Sequence, residues 1–325
     1  MADDPAHAPD SEEMSDPAVG GMEAMLARND AALGSVAPVL RHLLAHDDQS
    51  MFSDEIVARV RGMSEDVARQ LLAALEPDEL SRDFDDGPVD ALAALLVESS
   101  AFLCHLHALA LEWRLIERLQ HRLALDPVLS PLLQALVGSN DAAISGGAMN
   151  LLAAQARFCQ AQRRMQLPIG ELPGDLLHGV LLALRSYAGE DPAADERAER
   201  AEHAIRRRYD EGTSRLGLIA RAVAGMGSGV IAALSVSHAG VAIFATALAA
   251  ASGQDRDTAV LAASEGQVAR LALALRAAGL SPAAIEQQFD VLDHGAGLPQ
   301  GVEYVGPRRA AEMLASSGES FGFRA

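Results

Sequence analysis

Lysine is absent from the sequence, and all 26 basic residues are arginine. The chain therefore has no lysine for Schiff-base catalysis, for anchoring pyridoxal phosphate or for a P-loop, and these chemistries are excluded. Cysteine is scarce too: the only two, Cys104 and Cys159, lie in apolar helical patterns. Such thiols are expected to be buried small side chains in a reducing compartment, not members of a disulfide framework.

Aromatic residues and strand-like patterns are also rare. Only 4% of the residues are aromatic although 50% are hydrophobic, with alanine and leucine dominant. Runs of valine, isoleucine, threonine and tyrosine that alternate with polar residues are nearly absent, whereas long Ala/Leu-rich segments are typical of helices. The sequence predicts an all-α fold, either a solenoid-like helical repeat or a multi-helix bundle with short loops.

Basic residues are far fewer than acidic ones, and the formal net charge is −19. A surface this acidic repels nucleic-acid phosphate and anionic lipid, so we expect no nucleic-acid partner and consider a membrane partner improbable. A more basic protein partner is favoured. The opening residues, MADDPAHAPD, are acidic where a secretory signal would be basic, which predicts a cytoplasmic protein.

The chain divides into four regions by composition. Residues 1–21 carry six acidic residues and no arginine, which predicts a disordered acidic tail. An N-terminal helical region is expected over residues 22–189 and a C-terminal helical region with a buried apolar hairpin over residues 190–316. A flexible tail is expected over residues 317–325. The segment AGEDPAA near residue 190 is the predicted boundary.

The N-terminal region contains residues typical of helix starts and helix ends. Ser53 and Ser64 each precede acidic residues, as helix N-caps do, and Gly62 lies between them as a stop signal. This pattern predicts two short helices, the unit of an α-solenoid. A long helical stretch is expected over residues 89–125, and Asp126 with the following proline is expected to open the next helix.

Residues 222–254 form the longest uncharged stretch, 33 residues without aspartate, glutamate or arginine. Their length and hydropathy suit a membrane span, but alanine, glycine and serine are abundant, no tryptophan or tyrosine closely flanks either end, and no basic loop marks a cytoplasmic side. We expect a buried helical hairpin that turns around Gly227–Gly229 or near His238. A membrane-associated protein is the alternative. Apolar residues left exposed between His238 and Ser252 would indicate a homodimer, which remains open.

The glycines of this stretch do not form a catalytic or phosphate-binding motif. A dinucleotide fingerprint needs a preceding strand and a glycine where Val230 stands. A nucleophile elbow needs glycine two residues before and two residues after the serine, but Met226 and Val230 stand at those positions around Ser228.

Three residues are the candidate metal ligands. His42 and His46 are four residues apart, a spacing that places both on one helical face, and Asp47 follows directly. The His-Asp doublet resembles all-α metal-dependent phosphohydrolases, which gives an enzymatic alternative. The set lacks further ligands, so no metal and no cofactor is predicted. His105 and His107 lie on opposite sides of a helix, and His107 is expected on a polar stripe.

Two further segments concern binding. Residues 269–292 look like a helix-turn-helix with Ser281 as N-cap, but the second helix carries Glu286 and Asp290 and no arginine, which argues against DNA binding. The triplet Arg206, Arg207 and Arg208 is a local basic spot in an acidic chain. It is the candidate interaction site, either for an acidic partner or for the protein's own N-terminal tail; a solvated helix face is the other interpretation.

Two long passages carry a resemblance to a known family. They are residues 132–186 (LLQALVGSNDAAISGG and onward) and 235–280 (SVSHAGVAIFATALAA and onward). Both resemble all-helical proteins of alphaproteobacteria that are grouped as a domain of unknown function with solenoid-like helices. The resemblance implies a cytoplasmic regulatory or adaptor role and supplies no catalytic residues. The sequence therefore predicts a non-enzymatic helical scaffold or adaptor that binds another protein.

Overall fold

The computed structural model describes residues 17–45, 54–75, 86–189, 191–264, 267–293 and 297–318, which form fifteen α-helices and no strand. The all-α prediction is confirmed. The helices are α1 (Pro17–Ala45), α2 (Asp54–Leu75), α3 (Asp86–Leu96), α4 (Ser100–Leu123), α5 (Pro131–Val137), α6 (Ala142–Arg163), α7 (Gly174–Ala188), α8 (Pro192–Arg208), α9 (Arg215–Gly225), α10 (Val230–Ala233), α11 (Val236–Ser252), α12 (Arg256–Ala262), α13 (Val268–Ala277), α14 (Pro282–Leu292) and α15 (Pro307–Gly318).

Helix α4 is the centre of the molecule. Ser99 caps it, because its hydroxyl accepts a hydrogen bond from the Phe102 backbone N–H. Fourteen of its 24 residues are buried, so α4 is covered on nearly all sides and not along one stripe. It contacts α1, α2, α6, α7, α11, α12 and α14. A solenoid joins each unit only to its sequence neighbours, so the architecture is a multi-helix bundle.

The core contains two hydrophobic clusters, and α4 contributes to both. Phe102, Leu103 and Leu106 pack into the first cluster with α2, α3 and α7. Leu115 and Ile116 pack into the second cluster with α6, α9, α11, α13 and α14. Helix α4 contacts α12 and helix α6 contacts α9, so contacts cross the predicted boundary near residue 190.

The prediction of two short helices around Gly62 is wrong, because α2 continues through this residue for 22 residues. The Ser64 hydroxyl donates to the Arg61 carbonyl inside the helix and does not act as a cap. Gly62 has a packing role instead: a Cβ there would lie 2.7 Å from the Cβ of Met165. The glycine permits this close approach of the segment after α6, and the predicted solenoid unit is absent from the described residues.

The long helix expected over residues 89–125 is divided in two. Helices α3 and α4 meet at an angle of 103°, and Ser99 at the bend starts the second helix. The helix expected at Asp126 begins later, at Pro131, with Ser130 as its cap. Asp126 instead accepts hydrogen bonds from the backbone N–H groups of Val128 and Leu129, which stabilises a turn.

The other helix boundaries lie close to the sequence signals. Asp141 caps α6 through bonds to two backbone N–H groups, and Ser281 caps α14 with proline in its first turn. Helix α1 begins at Pro17, inside the range expected for the acidic tail, and α15 ends at Gly318. The preceding and following residues lie outside the described part of the chain.

The uncharged stretch 222–254 is divided among several elements. It covers the end of α9, a 3-10 helix at Gly227–Gly229, α10 and α11. Gly240 adopts φ 74°, ψ 162° inside α11 and kinks it, where a Cβ would lie 3.2 Å from the Ser130 Cβ. Most of the residues from Val241 to Ser252 are buried, so this segment gives no indication of a homodimer.

Gly217 supplies a test of the packing between α9 and the 3-10 turn before it. A Cβ at Gly217 would lie 2.1 Å from the Glu211 carbonyl oxygen, so Gly217→Ala should separate the two segments and lower the free energy of unfolding by about 1–3 kcal/mol. A Cβ at Gly146 on α6 would have no atom within 4 Å. Gly146→Ala should therefore raise stability by about 0.5–1 kcal/mol. Urea unfolding measures both; equal effects of the two substitutions would contradict the packing argument.

Candidate functional site

The candidate metal ligands are only partly within the described residues. His42 is exposed in the last turn of α1, whereas His46 and Asp47 lie outside the described residues. In the part of the chain that the structure describes, no group of three or more histidine, cysteine, aspartate or glutamate residues could hold a metal ion. The phosphohydrolase alternative remains a prediction without geometric support.

The candidate basic spot ends helix α8, and all three arginines are exposed. Arg206 donates to Glu202 at 2.8 Å and lies 3.0 Å from Nδ1 of His178. Hydrogen bonding from Arg206 holds the pKa of Glu202 below its usual value. Arg207 and Arg208 form no ion pair among the described residues, so they are the two arginines of the triplet that face solvent with their charge uncompensated.

A buried charge network occupies the middle of the bundle. Glu112 on α4 has no exposed surface. Arg215, the first residue of α9, donates to both carboxylate oxygens of Glu112, at 2.7 and 3.0 Å. Its guanidinium also donates to Gln155 of α6 at 3.3 Å and lies 3.6 Å above the ring centre of Phe158. This two-pronged geometry is the strongest form of the arginine–carboxylate pair.

A second arginine reaches the same carboxylate. Nη2 of Arg256, in the first turn of α12, lies 2.9 Å from Oε1 of Glu112, and Nε of Arg256 donates to the Thr246 hydroxyl of α11 at 3.0 Å. The backbone N–H of Arg215 donates to Glu171 at 2.7 Å. Glu112 thus joins α4 to α9 and α12, and its two arginine partners extend the network to α6, α11 and the turn before α7.

The electrostatics keep Glu112 ionised. Burial by itself would raise the pKa of this carboxyl group, but the adjacent Arg215 and Arg256 lower the pKa to about 2. A permanently ionised carboxylate without exposed surface cannot meet a substrate or exchange protons near neutral pH. The arrangement is suited to fixing helices, not to acid–base catalysis.

A surface cleft of about 160 Å³ lies next to this network. Phe158, Leu216 and Pro168 form its apolar walls, and the exposed Arg157 stands at its edge. Arg215 lies behind the cleft, but only 2% of its surface is exposed. Its guanidinium group is paired with Glu112 and is not presented to the cleft. The cleft shows no pair of groups arranged as nucleophile and base.

His105 and His107 of α4 are buried, which makes the predicted polar stripe wrong for His107. The prediction of a polar stripe assumes that one face of the helix is in contact with solvent, whereas α4 is covered on nearly all sides. His105 Nδ1 lies 2.7 Å from Asp257 of α12, and because a carboxylate only accepts, this nitrogen carries the proton. Burial and then the nearby Arg114 lower the pKa of His107 to about 4.

The surroundings of both thiols disfavour the thiolate form. Burial raises the pKa of Cys104 and of Cys159 to about 11, and the charge of Asp257 contributes at Cys104. Thiolate is the reactive species, so both side chains remain protonated near neutral pH. They are free cysteines within the core region.

The sequence did not reveal the charge network. Glu112 is separated from Arg215 by 103 residues, and no spacing rule joins positions so far apart. One local signal existed: Glu112 interrupts the apolar run ALALEWRLI, where a charged residue needs a partner if it is buried.

Helix length and composition bear on the membrane-associated alternative. No single helix among the described ranges has the length and apolar character of a membrane span. Three strongly bent helix pairs satisfy length and composition together, among them α9 with the segment ending at Ala233, at 108°.

Comparison of the chain with protein-family models, with curated proteins and with solved structures finds no match in any of the three. The resemblance to all-helical alphaproteobacterial proteins therefore transfers no function to any residue described above.

Proposed function

We propose that the chain is a non-enzymatic cytoplasmic scaffold that binds a basic protein partner through the acidic N-terminal third. A rigid helical body with an interior ion network supports this proposal, because the network holds helices together and offers no accessible reactive group. The observation that carries the proposal is the uneven distribution of charge along the chain.

Acidic residues are concentrated at one end of the sequence. Residues 1–98 contain 22 acidic residues and six arginines, a net charge of −16. Residues 99–325 contain 23 acidic residues and 20 arginines, a net charge of −3. Nearly all of the net charge therefore belongs to less than a third of the chain. A single-sign field of this kind attracts and orients an oppositely charged partner.

Helices α2 and α3 present part of this charge on the surface. They pack against each other, and Asp54, Asp86, Asp90 and Glu98 on or beside them are exposed. None of these four carboxylates forms an ion pair among the described residues. An unpaired exposed carboxylate is available to an arginine or lysine of a partner.

The proposal is tested with a fluorescent nine-arginine peptide as a defined basic probe. The double variant Asp90→Arg, Glu98→Arg reverses two negative charges of the proposed surface. The double variant Glu286→Arg, Asp290→Arg reverses two negative charges on α14, where both acidic side chains are exposed. Local recognition predicts that the first pair weakens binding about tenfold and that the second pair changes it less than about threefold. Fluorescence anisotropy at low and moderate salt measures the affinities.

Equal weakening by both pairs would show that the probe senses only net charge and would contradict a defined surface. The same variants also test the scaffold role in extract from the native cell. The proposal expects a stoichiometric basic protein that is retained by the unmodified chain and by the α14 variant but lost from the Asp90→Arg, Glu98→Arg variant.

A further inference from the structure

The cleft beside the buried charge network is formed where three segments meet over the central helix. The second half of α6, residues 166–171 of the segment that follows it and the first residues of α9 line the cleft. Leu109 of α4, which is buried, also lines it. Because α6 and α9 pack against each other, the shape of this cleft is set by the same contacts that hold the bundle together.

The cleft has the size and the apolar lining that one aromatic ring requires. Its volume is about 160 Å³, and a cavity of about 150 Å³ lined by apolar side chains holds one benzene molecule. Six of its lining residues are apolar: Leu109, Phe158, Ala161, Leu167, Pro168 and Leu216. Phe158 favours an aromatic occupant, since two aromatic rings attract each other beyond the effect of the area they bury.

The α6 side of the cleft carries positive charge. Residues 142–170 contain three charged residues, Arg157, Arg163 and Arg164, and no aspartate or glutamate. All three arginines are exposed, and none forms an ion pair with another residue in the described ranges. Arg157 is the one that lines the cleft. Its guanidinium group can bind a carboxylate through two parallel hydrogen bonds, a geometry that arginine provides and other cationic side chains do not.

The other charges around the cleft also favour an anion. Glu171 lines the cleft, and its carboxylate accepts a hydrogen bond from the Arg215 backbone N–H at 2.7 Å. Arg215 and Arg256 share the carboxylate of Glu112. With Arg157, the cleft and the adjacent network contain three arginines and two glutamates, a net charge of +1 in a chain whose formal net charge is −19. One monovalent anion balances this charge, whereas a cation would increase it.

We infer that the cleft binds a small aromatic carboxylate, a single ring that carries one carboxylate group. The ring fills the apolar part of the cleft next to Phe158 and Leu216, and the carboxylate binds Arg157 at the edge. Burial of the ring supplies most of the affinity, whereas Arg157 selects an acid over a neutral molecule of the same shape. The inference concerns binding without a reaction and does not depend on the proposed scaffold function.

Fluorine NMR titrations of the full chain with para-fluorobenzoate test the inference. We expect a dissociation constant of about 1 mM or lower, and para-fluorobenzyl alcohol, which has the same ring but no charge, should bind at least about fivefold more weakly. Arg157→Gln should weaken para-fluorobenzoate binding about fivefold and change binding of the alcohol less than about twofold. Arg163→Gln is the matched control, because Arg163 is an exposed arginine of the same helix that does not line the cleft. It should change the binding of either ligand less than about twofold.

Two substitutions that fill the cleft locate the ligand. Ala161→Phe and Leu216→Trp, made separately, should each abolish the binding of both ligands, because the added ring occupies the space of the ligand ring. Circular dichroism checks that each variant keeps the fold. Absence of para-fluorobenzoate binding up to about 10 mM would overturn the inference. So would equal weakening by Arg157→Gln and Arg163→Gln, since the acid would then sense only general positive charge, and so would binding that persists in a folded filling variant.

Discussion

Glu112→Ala is expected to lower the free energy of unfolding by about 3–5 kcal/mol, the largest effect of any single substitution proposed for this chain. The carboxylate is completely buried and is the shared partner of Arg215 and Arg256. Removing it leaves two guanidinium groups in the core without their counterion, and a cavity adds to the loss. Urea unfolding followed by circular dichroism measures the change.

Glu117→Ala is the matched control, because Glu117 lies on the same helix, is partly exposed and forms no ion pair among the described residues. Its replacement should cost less than about 1 kcal/mol. If Glu112→Ala were as mild as this control, the network would not hold the helices together as its geometry indicates.

The Glu112 carboxylate should also make the free energy of unfolding depend on pH in the acidic range. Its pKa is about 2 in the folded chain and about 4.5 when unfolded, so the contribution is complete above pH 4.5 and is lost as pH falls toward 2. The loss should amount to about 3 kcal/mol over this interval. Glu112→Gln keeps the shape but cannot titrate, so its stability should fall less steeply there than that of the unmodified chain.

His107 should produce a separate loss of stability at milder pH. Its pKa is about 4 in the folded chain and about 6.5 when unfolded, so the unfolded chain takes up a proton first as pH falls. Stability from neutral His107 is complete above pH 6.5 and declines by about 3 kcal/mol toward pH 4, below which this contribution no longer changes. Urea midpoints measured every half pH unit follow the decline.

His107→Gln should flatten the profile between pH 6.5 and 4 because the titrating ring is gone. His121→Gln is the control on the same helix, since the His121 side chain is exposed in the folded state as well. A profile that keeps its slope in His107→Gln would place the responsible group elsewhere.

Local sequence signals predict the helices well and their connections less well. Caps such as Asp141 and Ser281 act within a few residues, so the sequence contains all that is needed to place them. The stop signal at Gly62 is wrong because a glycine that ends a helix and one that admits Met165 look identical in sequence. The sharp bend before Ser99 depends on what α3 and α4 pack against.

The candidate sites show the same limit. His42 and Arg206 stand out in the sequence because neighbouring residues of similar chemistry mark them, yet both are exposed and neither belongs to a cluster that could hold a metal in the described ranges. Glu112, Arg215 and Arg256 form a buried charge group in the middle of the bundle. None of the three belongs to a recognisable sequence motif, and only tertiary packing brings them together.

The position of Glu112 also constrains how the protein is made. Synthesis proceeds from the N-terminus at about 5–20 residues per second, and Arg215 follows Glu112 by 103 residues. For about 5–20 s the nascent chain therefore carries the carboxylate of α4 before its first arginine partner exists. During that interval a buried α4 would hold an uncompensated charge, so its final environment is complete only after Arg215 has been made.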